Sequence, residues 1–197
     1  ATGCIAAEKM DVRRVEVTGE LSDGVAPKDV ILHIIGELGV DGGVGHVYEY
    51  GGEAIEAMDM EGRLSVCNMS IEGGARAGYV NPDQTTYDYL EGRQYAPEGE
   101  EWDRLVADWE TIGSDDDAEY DDVVTVDADG LDPMVTWGIN PGQVTGITEP
   151  IPSPDDFEGK DRKNAEAAVE HMEIMPGETM EGYEVDVAFL GTCTNGR

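Results

Sequence analysis

The run Gly191-Thr192-Cys193-Thr194-Asn195-Gly196-Arg197 sets one cysteine just beyond an apolar stretch, Val185, Val187, Ala188, Phe189 and Leu190, that reads as a β-strand. Open α/β sheets bind their ligands outside the carboxyl ends of the strands. A thiolate there, flanked by two Thr, an Asn and two Gly, would have hydroxyl, amide and backbone N–H donors around it, a setting that suits metal-bound sulfur. On the bare residues a buried, unreactive thiol is an equally good reading of Cys193. A second constellation joins Asn68 and Glu72, four apart in a segment expected to be helical over 61–76, whose apolar stripe is Leu64, Cys67, Ile71 and Ala75. An amide and a carboxylate one turn apart could hold a polarised oxygen, but spacing alone favours a solvent-facing pair.

Other motifs are weaker. The turn Gly42-Gly43-Val44-Gly45 has neither the Walker lysine nor the dinucleotide pattern, and is expected to be purely structural. Asp127-Ala128-Asp129-Gly130 and the acidic run 114–122 lack the spacing and closing Glu of a calcium loop, so they read as solvated acid. His33, His46 and His171 show no metal-ligand spacing. Cys67 reads as a small buried packing residue. Trp137-Gly138 with Asn140-Pro141-Gly142-Gln143 reads as a loop.

The elements that must position these groups alternate between strand and helix. Strands are expected at 13–18, 47–50, 123–126 and 185–190. Helices are expected from Pro27 to Leu38, over 52–59 and 61–76, from Asp83 to Glu91, from Glu101 to Glu110 and over 160–172. Pro27 opens the first helix and Gly39 can close it. The pattern is that of an α/β fold, with an acidic link at 113–122 followed by the strand at 123–126, where the main boundary is expected.

Composition narrows the function classes. Forty-four acids against 12 bases leave a formal net charge of -32, and Leu, Ile, Val and Phe make up about a fifth of the 197 residues. Such values border on those of disordered chains, but the apolar residues are gathered into periodic runs, which favours a folded chain with a very acidic skin. Self-repulsion in that skin weakens the compact state at low salt and is screened at high salt, as in halophilic proteins. Phosphate binding needs clustered Lys and Arg, so nucleic acid is excluded as a partner. No apolar run of 18 residues offers a membrane span and no leader is visible, so the cytoplasm is the expected location. Cys4, Cys67 and Cys193 are too few for a disulfide framework.

Two blocks carry a family resemblance. GTCTNGR resembles the GSCTNSR signature of aconitase-type hydro-lyases. Residues 60–78, MEGRLSVCNMSIEGGARAG, closely resemble MEGRMTVCNMAIEAGARAG of the large-subunit form in the aconitase and isopropylmalate isomerase family. Further matches are Pro27 to Leu32, Gly42 to His46, Pro82 to Tyr87 and Val135 to Val144, in the family's order along the whole chain. One departure stands at the start, where Ala1-Thr2-Gly3 replaces the family's usual Ala-Thr-Gln.

The resemblance implies aconitase-type three-layer α/β domains: residues 1–125 as the second domain with a short lead-in, and 126–197 as the beginning of the third, ending at the first cluster cysteine. It implies conversion of 2-isopropylmalate to 3-isopropylmalate by dehydration and rehydration at a 4Fe-4S cluster, in leucine biosynthesis. Cys193 would be one metal ligand, the other two lying in a CxxC pair absent from this sequence. Glu72 would meet the oxygen held by iron, with Asn68 beside the cluster and Asn195 and Arg197 in the neighbourhood of cluster or substrate. A separate small subunit would add substrate contacts and the base, so the chain alone is expected to be inactive. Homoaconitase, or another hydro-lyase acting on a 2-hydroxy acid, is the nearest alternative, because these motifs belong to the shared scaffold. A non-catalytic acidic binding module is the alternative from another class.

Overall fold

A computed structural model describes residue 3 and residues 8–191. Cys193, Asn195 and Arg197 lie outside the described residues. Four parallel strands form the main sheet: β1 (Asp11–Thr18), β2 (His46–Gly51), β3 (Gly78–Val80) and β4 (Asp122–Asp127), in the order β3-β2-β1-β4. Val15 of β1 stands opposite Tyr50 on one side and Val124 on the other. β1 sends alternate residues to a buried face, where Val15 and Val17 are fully covered. Helices flank the sheet, so the α/β expectation holds.

α1 (Pro27–Leu38) begins and ends where its sequence signals stand. Pro27 needs no amide donor in the first turn, the Asp29 carboxylate accepts from the Ala26 N–H at 2.6 Å, and Gly39, at φ 81°, closes the helix with its N–H on the Ile35 carbonyl. Val30, Ile31, Ile34 and Ile35 are at most 1% exposed, and they pack with Val15, Val17, Tyr48, Tyr50, Ile55 and Val66 into the principal core. α2 (Glu53–Glu56) is one short turn where a helix over 52–59 was expected.

α3 (Met60–Met69) is capped by Asp59, whose side chain accepts from the Gly62 N–H at 2.8 Å. It corrects the expected helix over 61–76 by stopping at Met69. The chain then tightens, with Glu72 N–H on Met69 O at 3.1 Å, Gly73 N–H on Ser70 O at 3.2 Å and Gly74 N–H on Ile71 O at 2.9 Å. Gly74 at φ 85° adopts a backbone conformation that L side chains resist, and the helix cannot run through it.

α4 (Gln84–Leu90) and α5 (Glu100–Trp109) follow β3, and the acidic link then returns the chain to β4. β4 crosses the expected boundary at 125/126, with Val126 opposite Val17 and Asp127 opposite Thr18. Beyond it, β5 (Met134–Thr136) and β6 (Val144–Gly146) form an antiparallel pair around the Trp137–Gln143 loop, and α6 (Gly159–Met172) covers a second cluster of Trp137, Ile151, Ala165, Ala168 and Ile174.

The strand expected at 185–190 is not formed. Val185, Val187, Phe189 and Leu190 are 74–101% exposed, and among the described residues no strand pairs with them. Alternating apolar residues encode a strand only where a neighbouring edge completes the hydrogen-bond ladder.

Candidate active site

Asn68 stands exposed on the last turn of α3, and Glu72 stands exposed in the tight turn just after it. They therefore do not share a continuous helix face, as the spacing suggested. Ser70, between them, is fully buried. Its hydroxyl shares a 2.7 Å hydrogen bond with the Tyr50 hydroxyl of β2 and reaches the Val66 carbonyl at 3.2 Å, and its own carbonyl accepts from Ala75 N–H at 3.0 Å. Burial pushes the Tyr50 phenol up, so it stays protonated and remains able to donate.

The base of α3 is held by an ion pair between a buried arginine and a half-exposed aspartate. Arg63, 2% exposed, gives a fork of two hydrogen bonds to the Asp83 carboxylate, at 2.6 and 2.7 Å, and a third to the Glu56 carbonyl at 2.9 Å. The guanidinium holds the Asp83 carboxyl below its ordinary value. Asp83 also accepts from the Thr86 N–H, so one carboxylate caps α4 and anchors α3.

A larger network, which the sequence reading missed, surrounds Glu49, 1% exposed in the middle of β2. Its carboxylate accepts from Arg14 Nη1 at 2.7 Å, Tyr79 Oη at 2.8 Å, Asn81 Nδ2 at 3.0 Å, Ser114 Oγ at 2.7 Å and Tyr120 Oη at 2.8 Å. Burial pushes this carboxyl up, but the hydrogen bonds from Ser114, Tyr79 and Tyr120 and the Arg14 charge outweigh it and hold the group below its ordinary 4.5. Burial, then the neighbouring Glu49, pushes the Tyr79 phenol up to about 12. The one sequence signal was an acid between two tyrosines in a strand buried on both faces. The five donors come from segments up to 71 residues away.

No group of three His, Cys, Asp or Glu side chains among the described residues could hold a metal ion. Cys67 is the one described cysteine; burial pushes its thiol up to about 11, which keeps it protonated and unsuited to ligation. The described residues therefore do not themselves fit an iron-sulfur cluster, and the proposed ligand, Cys193, lies outside them.

Comparison with known proteins bears on what an exposed amide and carboxylate at the end of α3 belong to. The aconitase family (aconitate hydratase) model matches residues 1–197, the full length of the sequence. The chain belongs to the aconitase family. It is 65% identical over its whole length to the 3-isopropylmalate dehydratase large subunit of Halorubrum lacusprofundi, 62% to that of Salinibacter ruber and 58% to that of Synechococcus elongatus. In each case it spans 42% of the relative's length. The parallel sheet flanked by helices agrees with this membership.

Proposed function

We propose that the chain is part of a large subunit of a hydro-lyase that isomerises 2-isopropylmalate to 3-isopropylmalate by dehydration and rehydration, in leucine biosynthesis. The observation that carries this reading is 58–65% identity, across the entire chain, to relatives bearing the dehydratase name. Residues 1–125 are assigned to the family's second domain and 126–197 to the opening of its third.

Loss of water requires that the departing hydroxyl gain a proton and that the adjacent carbon lose one, and rehydration reverses both. Glu72 is assigned the oxygen end: its carboxyl gives a proton to the departing hydroxyl and recovers one from the returning water. Asn68 is assigned a place beside the cluster. Asn195 and Arg197 are assigned to the surroundings of cluster and substrate, and Cys193 to cluster ligation. A 4Fe-4S cluster, held with cysteines beyond this sequence, supplies Lewis-acid polarisation of substrate oxygens when bound. A separate small subunit completes the substrate site and supplies the carbon-directed base, so these 197 residues alone are expected to be inactive. No helix among the described residues is long and apolar enough to cross a membrane. A cytoplasmic enzyme of a salt-loving organism fits the net charge of -32.

The test uses the full-length large subunit with its small subunit, reconstituted without oxygen. Glu72→Gln should lower kcat for 2-isopropylmalate by about 10²- to 10⁴-fold, the usual worth of a positioned proton donor, with a small change in KM. A kcat within twofold of wild type would refute the role of Glu72.

A further inference from the structure

The Gly42–Gly45 turn, expected to be a bare chain reversal, lies against the turn that carries Glu72. The Gly43 N–H donates to the Gly73 carbonyl at 2.8 Å, and Arg76 N–H donates to the His46 carbonyl at 2.8 Å. A Cβ on Gly43 would stand 2.4 Å from the Ala75 backbone nitrogen and 2.7 Å from the Tyr48 hydroxyl. A Cβ on Gly74 would meet the Val40 carbonyl oxygen at 2.9 Å, and one on Gly73 would meet Ile35 Cγ1 at 3.2 Å. The two turns thus touch backbone to backbone, with glycine on both sides of the contact.

The far side of this contact is anchored in the sheet. Arg13, 9% exposed, donates from Nη1 to the Gly42 carbonyl at 2.9 Å and to Tyr48 Oη at 3.2 Å, and from Nε to Asp122 of β4 at 2.5 Å. On the near side, Ser70 is tied to Tyr50 of β2 by the buried hydroxyl pair. Residues 70–75 are therefore gripped before and after Glu72. Glu72 itself projects exposed from the grip.

We propose that Gly42 and Gly43, with the Tyr50 hydroxyl on Ser70, form a positioning seat that sets where the Glu72 carboxylate stands. This inference rests on the role proposed for Glu72. A group that must lie within hydrogen-bond reach of a departing oxygen tolerates little displacement, and a misplacement of 1 Å can cost about 10²-fold in rate. A Cβ at Gly43 falls about 1 Å short of ordinary contact with the Ala75 nitrogen, so the turn must yield by that order. Gly43 does not have a positive φ, so alanine there acts through this contact and not through backbone strain.

The experiment measures kcat and KM for 2-isopropylmalate in the reconstituted two-subunit enzyme carrying Gly43→Ala, Tyr50→Phe, Glu72→Gln and each seat variant combined with Glu72→Gln. Gly130→Ala serves as the control, since Gly130 does not have a positive φ and a Cβ there would meet nothing within 4 Å. Gly43→Ala should lower kcat roughly 10- to 100-fold with KM within about threefold. Tyr50→Phe, which adds no bulk, should lower kcat by a smaller factor, and neither variant should slow the Glu72→Gln enzyme further. Gly130→Ala should leave kcat at the wild-type value. Should Gly43→Ala fail to fold, Tyr50→Phe decides the question. Wild-type kcat in the seat variants that fold, or equal losses with and without Glu72, would overturn the seat while leaving the role of Glu72 intact. Full activity of Glu72→Gln would overturn both.

Discussion

Glu49→Gln is the substitution that separates the charge of the buried hub from its shape. The carboxylate receives Arg14, Asn81 and Tyr120 on Oε1 and Tyr79 and Ser114 on Oε2. Glutamine can keep its oxygen toward the first three and turn its amide toward the two hydroxyls, which can rotate to accept. What disappears is the charge. Hydrogen bonds to an ion contribute about 1.5–3 kcal/mol and neutral ones about 0.5–1.5. Weakening the Arg14 bond and the two or three shortest hydroxyl bonds therefore costs about 2–4 kcal/mol. Arg14 keeps Glu16 at 2.8 Å, which limits the loss below that of a wholly orphaned buried ion. The assay is urea unfolding of the 197-residue chain at about 1 M salt, where the Debye length of about 3 Å suppresses the surface charges. The sign of the pH dependence follows from the depressed carboxyl. Its contribution is fully present above the ordinary value of 4.5 and is lost as pH falls through the lower folded value. The gap between wild type and Glu49→Gln should be full at pH 7 and shrink below pH 4.5. A gap under about 1 kcal/mol at neutral pH, well below even one lost charged bond, would refute the account, as would a gap that does not change on acidification.

Two further outcomes follow from the acidic skin and the covered thiol. With a formal charge of -32, the melting temperature should rise steeply as KCl replaces low-salt buffer, and the rise should be smaller by about a fifth for a variant whose exposed Asp115, Asp116 and Asp117 are changed to Asn, since self-repulsion grows with the square of the net charge; thermal melts across a salt series check this. Cys67, with its thiol pushed up to about 11, should be alkylated by iodoacetamide at pH 7.5 at least tenfold more slowly in the folded chain than in urea, as read by peptide mass spectrometry at that residue.

Sequence pattern located those elements whose boundaries are written locally. Pro27 and Gly39 mark both ends of α1, and Asp83 is the cap that starts α4. Where the deciding contact is distant, pattern misled. Helical periodicity ran on past Met69, but the end of α3 is set by Ser70 meeting Tyr50 and by the left-handed backbone at Gly74. The alternation at 185–190 describes a strand, yet that state needs an adjacent edge which the described residues do not offer. The proposed site was legible through family resemblance alone, because an Asn and a Glu four apart are common on any exposed helix. The Glu49 hub had only a weak local signal, the acid between Tyr48 and Tyr50, since its partners are drawn from three other segments of the chain.

The position of β1 inside the sheet, between strands that follow it at very different distances, shapes how the chain can fold. β2 arrives after about 35 residues, whereas the Arg13–Asp122 contact spans 109. Closing a flexible loop of that length costs about 4 kcal/mol in chain entropy before any pairing repays it. High contact order of this kind slows refolding, and during synthesis one flank of β1 must wait for more than a hundred further residues to leave the ribosome. Until β4 docks, an apolar parallel edge stands open, and a nascent chain this acidic relies on dissolved ions to let the two ends approach.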